Sequence, residues 1–98
     1  MQTQTTATTA LDVRRALVDE RHYGFGLATI TSLDPEAQDV LLDAVAARLT
    51  ELGASAEDTF RFTNHKAGRW LVDHSHGTPL AELPALAAHY VTRDTFTV

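Results

Sequence analysis

The stretch from residue 59 to residue 73 constrains the fold of this chain more than any other part of the sequence. Its first half, TFRFT, alternates apolar and polar residues, a polar loop with a glycine follows, and RWLVD resumes an extended pattern. This pattern predicts two antiparallel strands joined by the loop. In the expected register Phe62 lies opposite Trp70, and both pack with Phe60 on the apolar face of the hairpin, toward the core.

The segment before this hairpin carries the signals of a long helix. Asp34 suits the N-cap, Pro35 suits the first helical position because its missing N–H needs no partner there, and Gly53 suits the end. Apolar residues between them recur at helical spacing, so we predict a helix over residues 35–52. Two further helices are expected, one from residue 9 to about residue 21 and one from residue 79 onward, kinked or split at Pro84.

Two more extended segments complete the predicted fold. Residues 25–32 and 95–98 are rich in β-favouring side chains. From residue 25 onward the predicted order is β-α-β-β-α-β, the ferredoxin-like α+β arrangement with both helices on one face of an antiparallel sheet. We therefore expect an N-terminal helix followed by a ferredoxin-like sheet in one globular domain, residues 9–98. Residues 1–8 are expected to form a flexible tail rich in Thr and Gln.

An all-α small domain is the alternative that the same residues leave open. In it, residues 25–33 and 58–74 would be helical, and Ser55 with Asp58 would cap the second of these segments. Short apolar runs are compatible with either a strand or a buried helix, so the pattern alone does not separate the two folds.

Charge and composition argue against several classes of function. The 98 residues carry a formal net charge of −5, which would repel a phosphate backbone over most of the surface and argues against nucleic-acid binding. There is no cysteine, so disulfides and thiolate chemistry are excluded. No apolar run approaches the roughly 20 residues that cross a bilayer, and the N-terminus lacks a signal-peptide pattern. We therefore expect a cytoplasmic protein without a membrane partner.

The exposed face of the predicted hairpin is the expected binding surface. In the split arrangement this is the side of the sheet that no helix covers. It would carry the side chains of Arg61, Thr63, Arg69, Leu71 and Asp73. Arginines that meet carboxylates around a central leucine favour a non-catalytic binding or regulatory module. Its expected partner is another protein or a second copy of the chain, as a homodimer, and no cofactor is expected.

A histidine cluster supports a rival prediction. His65 lies in the predicted hairpin loop, and His74 and His76 would project to one side of an extended segment. Together with Asp73 they form a candidate metal site, because imidazole and carboxylate groups ligate zinc and related metals. The same groups suit proton transfer near neutral pH. The alternative to a binding module is therefore a small metal-dependent or acid–base enzyme centred on these residues.

Overall fold

The computed structural model describes residues 9–19 and 26–96, and every regular element in these ranges is a helix. The α-helices are α1 (Ala10–Val18), α2 (Pro35–Glu51), α3 (Ala56–Thr63), α4 (Lys66–Ser75) and α5 (Leu83–Tyr90). Short 3₁₀ segments lie between or after them, at Ile30–Ser32, Leu80–Glu82 and Arg93–Thr95. The predicted ferredoxin-like α+β fold is therefore wrong, and the described residues fit the all-α alternative.

The long central helix α2 begins and ends where the sequence predicts. Asp34 has the extended backbone of an N-cap, and Pro35 occupies the first position, where its missing N–H leaves no bond unmade. Gly53, just beyond the helix, has φ of 75°, a conformation that a Cβ atom disfavours. The buried side chains of α2 are Leu41, Leu42, Val45, Ala46 and Leu49. They place this helix at the centre of the core.

Two consecutive helices, α3 and α4, replace the predicted hairpin of residues 59–73. A capping box starts α3: the Ser55 hydroxyl accepts the Asp58 N–H at 3.1 Å, and the Asp58 carboxylate accepts the Ser55 N–H at 3.1 Å. His65 caps α4, because its Nδ1 accepts the Ala67 N–H at 3.0 Å. These bonds satisfy backbone N–H groups that a helix start would otherwise leave without a partner.

Burial in α3 and α4 follows the helical period. The buried residues are Thr59, Phe62 and Thr63 in α3, and Ala67, Gly68, Leu71, Val72 and Ser75 in α4. Residues three and four apart share a face of a helix, so each helix buries one stripe and exposes the opposite one. Phe60 and Trp70, which the hairpin would place in the core, remain 44% and 47% exposed. The predicted core position of Trp70 is therefore wrong.

The other predicted strands are also absent from the described ranges. Residues 26–29 form turns that lead into the 3₁₀ segment Ile30–Ser32. Leu27 and Ile30 are both fully buried, a spacing that suits a helical turn and not the alternation of a strand. At the C-terminal end, Arg93–Thr95 is a 3₁₀ segment where the last strand was expected to begin, and residues 97 and 98 lie outside the described ranges.

The first and last helices were predicted correctly in kind. Helix α1 begins after Thr9, whose hydroxyl accepts the Asp12 N–H at 3.1 Å, and it ends at Val18. The last helix is split as expected, because a 3₁₀ turn precedes α5 and Pro84 lies in the first turn of α5, where its missing N–H is tolerated. The predicted tail, residues 1–8, lies outside the described residues.

Helix α2 carries α1 and α5 on its surface. Ion pairs link α1 to α2, because the guanidinium of Arg14 on α1 lies 2.6 Å from the Asp39 carboxylate and 2.5 Å from the Asp43 carboxylate on α2. Helix α4 packs on α5 at the other end of the chain. None of the helices in the described ranges is long and apolar enough to cross a membrane.

Candidate functional site

The predicted binding surface on the hairpin is not assembled, because its residues belong to two helices. Thr63 and Leu71 are fully buried, whereas Arg61, Arg69 and Asp73 are exposed. Arg61 lies on α3 and forms an ion pair with Glu57 of the same helix, at 3.1 Å. Arg69 and Asp73 lie on α4 with Trp70 between them in sequence. Of the predicted surface, the structure therefore keeps only the two charged residues on α4 together.

The three candidate metal ligands, His65, His74 and His76, are engaged separately. The Nδ1 atom of His65 caps α4, that of His74 is hydrogen-bonded to the Tyr90 hydroxyl, and Nε2 of His76 lies 2.9 Å from the Ser32 hydroxyl. Within residues 9–19 and 26–96, no three His, Cys, Asp or Glu side chains are grouped so that they could hold a metal ion. His74 lies in the last turn of α4 and His76 is the extended C-cap residue, so the two side chains reach different neighbours.

A cleft of about 390 Å³ lies beside the Ser32–His76 contact. It is lined by Ser32, Leu33, Asp34, Glu36, Ala37, Ser75, His76, Gly77, Thr78, Pro79 and Leu80. The Ser32 hydroxyl also lies 2.6 Å from the Thr29 carbonyl oxygen, which can only accept a proton. Ser32 therefore donates to Thr29 and accepts from the Nε2–H of His76. A catalytic serine would instead donate to the imidazole, so this contact has the wrong direction for a nucleophile.

The outward face of α4 consists of Lys66, Arg69, Trp70, Asp73 and His74, all of them exposed. Trp70 lies near its centre and is 47% exposed. The Lys66 ammonium lies over the indole ring, 5.3 Å from the ring centroid. Within the part of the chain that the structure describes, the Asp73 carboxylate forms no ion pair or hydrogen bond. A large aromatic ring is thus presented between a cation and an unpaired anion.

The rings continue from α4 onto α5. The His74 and Tyr90 rings are 5.4 Å apart and tilted, and the His89 ring stands edge-on to Tyr90 at 5.0 Å. We refer to Trp70, His74, Tyr90 and His89 as the aromatic surface. Trp70 and His74 are one turn apart on α4, so they share its outward face.

A shallow hollow of about 350 Å³ adjoins this aromatic surface on α5. It is lined by Thr78, Glu82, Ala85, Leu86 and His89. His89 belongs to both features, and the Thr78 hydroxyl donates to the His74 carbonyl oxygen at 2.6 Å. Both apolar side chains, Ala85 and Leu86, and polar ones, Thr78, Glu82 and His89, line the hollow.

Sequence reasoning missed the aromatic surface because it treated residues 69–73 as a strand. The missed signal is the spacing of Lys66, Trp70 and His74, each one helical turn from the next. On a helix these residues form one stripe, about 100° around the axis from the buried stripe of Ala67 and Leu71.

Comparison with protein-family models, with curated proteins and with solved structures found no match to this chain. In the ranges that the structure describes, the fold and the site are those of a small all-helical domain with an exposed aromatic surface on α4 and α5.

Proposed function

We propose that this chain is a small binding module that docks a protein chain on the outward face of α4 and the adjoining aromatic surface. The observation that carries the proposal is the position of Trp70, 47% exposed in the middle of that face. Covering the exposed part of an indole would remove on the order of 100 Å² from water, or about 2–3 kcal/mol. Tryptophan is also one of the residue types enriched among the side chains that dominate binding energy at protein interfaces.

The charges around Trp70 favour a protein partner over a nucleic acid. Lys66 and Asp73 stand on opposite sides of the ring along α4, so both signs of charge are present. A phosphate backbone would meet the Asp73 carboxylate beside the indole, and the net charge of −5 would oppose its approach. A protein surface carries both signs and is able to match both.

A second exposed apolar stripe lies on α1, where Leu11 is 57% and Val18 is 43% exposed. It offers aliphatic side chains and no ring. Leucine and valine are under-represented among the residues that dominate binding energy, whereas tryptophan and tyrosine are enriched. This difference favours α4 and α5 as the docking surface.

The rival class, a metal-dependent or acid–base enzyme, receives less support. His65, His74 and His76 have separate hydrogen-bond partners. The direction of the Ser32–His76 bond also argues against a serine nucleophile in the neighbouring cleft. The proposal retains the cytoplasmic location that the sequence predicts.

The test is site-specific photo-cross-linking in cells that express the chain. A benzophenone amino acid, whose two rings keep a large aromatic side chain at this position, is placed at Trp70, and in a control at Ala47, which is exposed on α2. We expect a cross-linked protein from position 70 and not from position 47. The product, identified by mass spectrometry and purified, should bind the Trp70→Ala variant at least about tenfold more weakly than the unchanged protein.

Two results would contradict the proposal. One is the absence of any cross-linked protein from position 70, including a second copy of this chain. The other is an identified partner whose affinity is the same for the Trp70→Ala variant as for the unchanged protein.

A further inference from the structure

We propose that the chain docked on α4 is a second copy of this protein, with the two α4 helices paired antiparallel about a two-fold axis beside Trp70. This inference rests on the proposed function and specifies its partner. It is carried by the order of two charges along the outward face of α4, where Lys66 precedes the indole by one turn and Asp73 follows it by almost one turn. Arg69, the third charged side chain of this face, already has an interaction of its own within the chain.

The spacing makes this face complementary to itself. With a rise of about 1.5 Å per residue, Lys66 lies about 6 Å before Trp70 along the helix axis, and Asp73 lies about 4.5 Å beyond it. In an antiparallel pair whose axis passes between residues 69 and 70, Lys66 of each copy stands opposite Asp73 of the other. A two-fold axis repeats every contact, so two ion pairs form.

A parallel pairing of the same helices would have the opposite effect. It would place Lys66 against Lys66 and Asp73 against Asp73, and like charges at a contact oppose association. The charge order therefore selects one direction. Both residues can form these ion pairs, because neither of them has an ion pair within the described residues. Lys66 contacts the ring of Trp70, and that contact leaves its charge unpaired.

The apolar part of the contact is the indole itself. Near the axis the two Trp70 rings approach each other, and offset or edge-on ring pairs are favoured over full face-to-face stacking. Each Lys66 ammonium, already 5.3 Å from the centroid of its own indole, would bridge that ring and the Asp73 of the other copy. The exposed part of Trp70 is thus covered by groups that this chain already carries.

The extent of the helix predicts a weak dimer. Helix α4 has 10 residues and is about 15 Å long, and interfaces that bury less than about 1,200 Å² belong to transient complexes. We therefore expect association that depends on concentration, with monomer and dimer in rapid exchange.

The experiment is a charge reversal with mixing, followed by sedimentation equilibrium over a wide range of concentration. The variants are Lys66→Glu, Asp73→Lys and the double variant with both changes. Arg15→Glu, on the exposed side of α1, is the control that makes the same change in net charge as Lys66→Glu. Circular dichroism checks that each variant keeps its helices.

We expect the mean mass of the unchanged protein to rise from one chain toward two with concentration. Each single reversal places like charges opposite each other and should weaken association at least about tenfold, whereas Arg15→Glu should not. An equal mixture of the two single variants should restore the dimer. In one contact the new glutamate at position 66 faces the new lysine at position 73, and in the other the original Asp73 faces the original Lys66. The double variant should restore it as well.

A third readout is the fluorescence of Trp70, the only tryptophan in the sequence. Its emission should shift to shorter wavelength as the dimer forms, because the indole leaves water. Fluorescence that does not change while the mass doubles would place the interface elsewhere and overturn the inference.

Other outcomes would overturn the inference and leave the proposed function intact. A chain that stays monomeric at every concentration, while position 70 still cross-links to a different protein, would show that the partner is not a second copy. A dimer that withstands both single reversals would use another face. Loss of the dimer in both variants without recovery in the mixture would exclude the antiparallel pairing.

Discussion

The main chain of Gly26 lies directly on helix α4 at Gly68, where a Cβ atom on Gly68 would stand 3.1 Å from the Gly26 carbonyl carbon. The Gly26 N–H also donates to the Thr63 carbonyl oxygen at 2.8 Å. A Cβ atom on Gly26 would be 2.0 Å from the His65 carbonyl oxygen, closer than any side chain can be. This contact braces the corner between α3 and α4 and therefore the orientation of the outward face of α4.

The first prediction concerns the close approach of the Gly26 main chain to helix α4. Gly26→Ala should lower the free energy of unfolding by about 2–3 kcal/mol, because the new methyl group forces the main chain away from α4. Gly68→Ala should cost less, since its closest contacts are 3.1–3.3 Å and alanine favours a helix over glycine by about 1 kcal/mol. Urea unfolding measures both changes. A loss of unfolding free energy for Gly26→Ala no larger than the ~0.5 kcal/mol of ordinary surface substitutions would contradict this close approach.

The second prediction separates the helical fold from the hairpin. Trp70→Ala should lower the free energy of unfolding by at most about 2 kcal/mol, because the ring lies on the outside of α4, is 47% exposed and leaves no internal cavity when it is removed. Leu71→Ala, its fully buried neighbour, should cost about 2–5 kcal/mol. In a hairpin the order would be reversed, with the tryptophan in the core. Denaturant titration of both variants at a concentration where the protein is monomeric makes the comparison.

The third prediction compares two N-caps. Ser55→Ala should lower the free energy of unfolding by about 1 kcal/mol, since its hydroxyl accepts the Asp58 N–H in the capping box of α3. Asp34→Ala should cost less, because the Asp34 side chain makes no capping hydrogen bond at the start of α2. Thermal or urea unfolding of the two variants is the measurement. Equal losses would mean that the two caps do not differ in solution as they do in the structure.

The fourth prediction concerns Ser32 and His76. Because the Ser32 hydroxyl donates to Thr29 and accepts from His76, the bond joins two segments and does not activate the serine. Ser32→Ala and His76→Ala should each cost about 0.5–1.5 kcal/mol, and the double variant should cost clearly less than their sum. The same pair predicts that a fluorophosphonate probe does not label Ser32.

Labelling with the probe has a matched control in Ser32→Ala. Modification of the unchanged protein that disappears in this variant would show an activated serine, and it would favour the enzyme over the binding module. Modification of both proteins to the same small extent would reflect nonspecific reaction elsewhere and would agree with the prediction.

Local signals in the sequence were sufficient for the helices with strong boundaries. Asp34, Pro35 and Gly53 mark the ends of α2, and the hydroxyl of Thr9 marks the start of α1. Each of these residues acts on the backbone within one turn of its own position, so its effect does not depend on the rest of the chain. The split before α5 has the same origin, because Pro84 is tolerated only in the first turn of a helix.

The candidate site could not be predicted from such local signals. The predicted surface contained Arg69 and Asp73, which do lie on the outward face of α4, but it also contained the buried Thr63 and Leu71. Assigning strands to residues 59–73 inverted the two sides of the segment. Trp70 was placed in the core for the same reason, and with it the main feature of the surface was lost.

The sequence by itself therefore determined the composition, the charge, and those helix boundaries that one turn of backbone decides. Only the tertiary structure decided between strand and helix in residues 59–73. The apolar side chains alternate as in a strand, but they also fit two helices. Of the four residues that the hairpin would place in the core, the helices bury Phe62 and Val72 and expose Phe60 and Trp70. Short apolar segments satisfy both periods, and the choice depends on which stripe the rest of the core covers. Here α1 and α5 pack on α2, and α4 packs on α5 with Leu71 and Val72 in the common core, which leaves Trp70 on the outside.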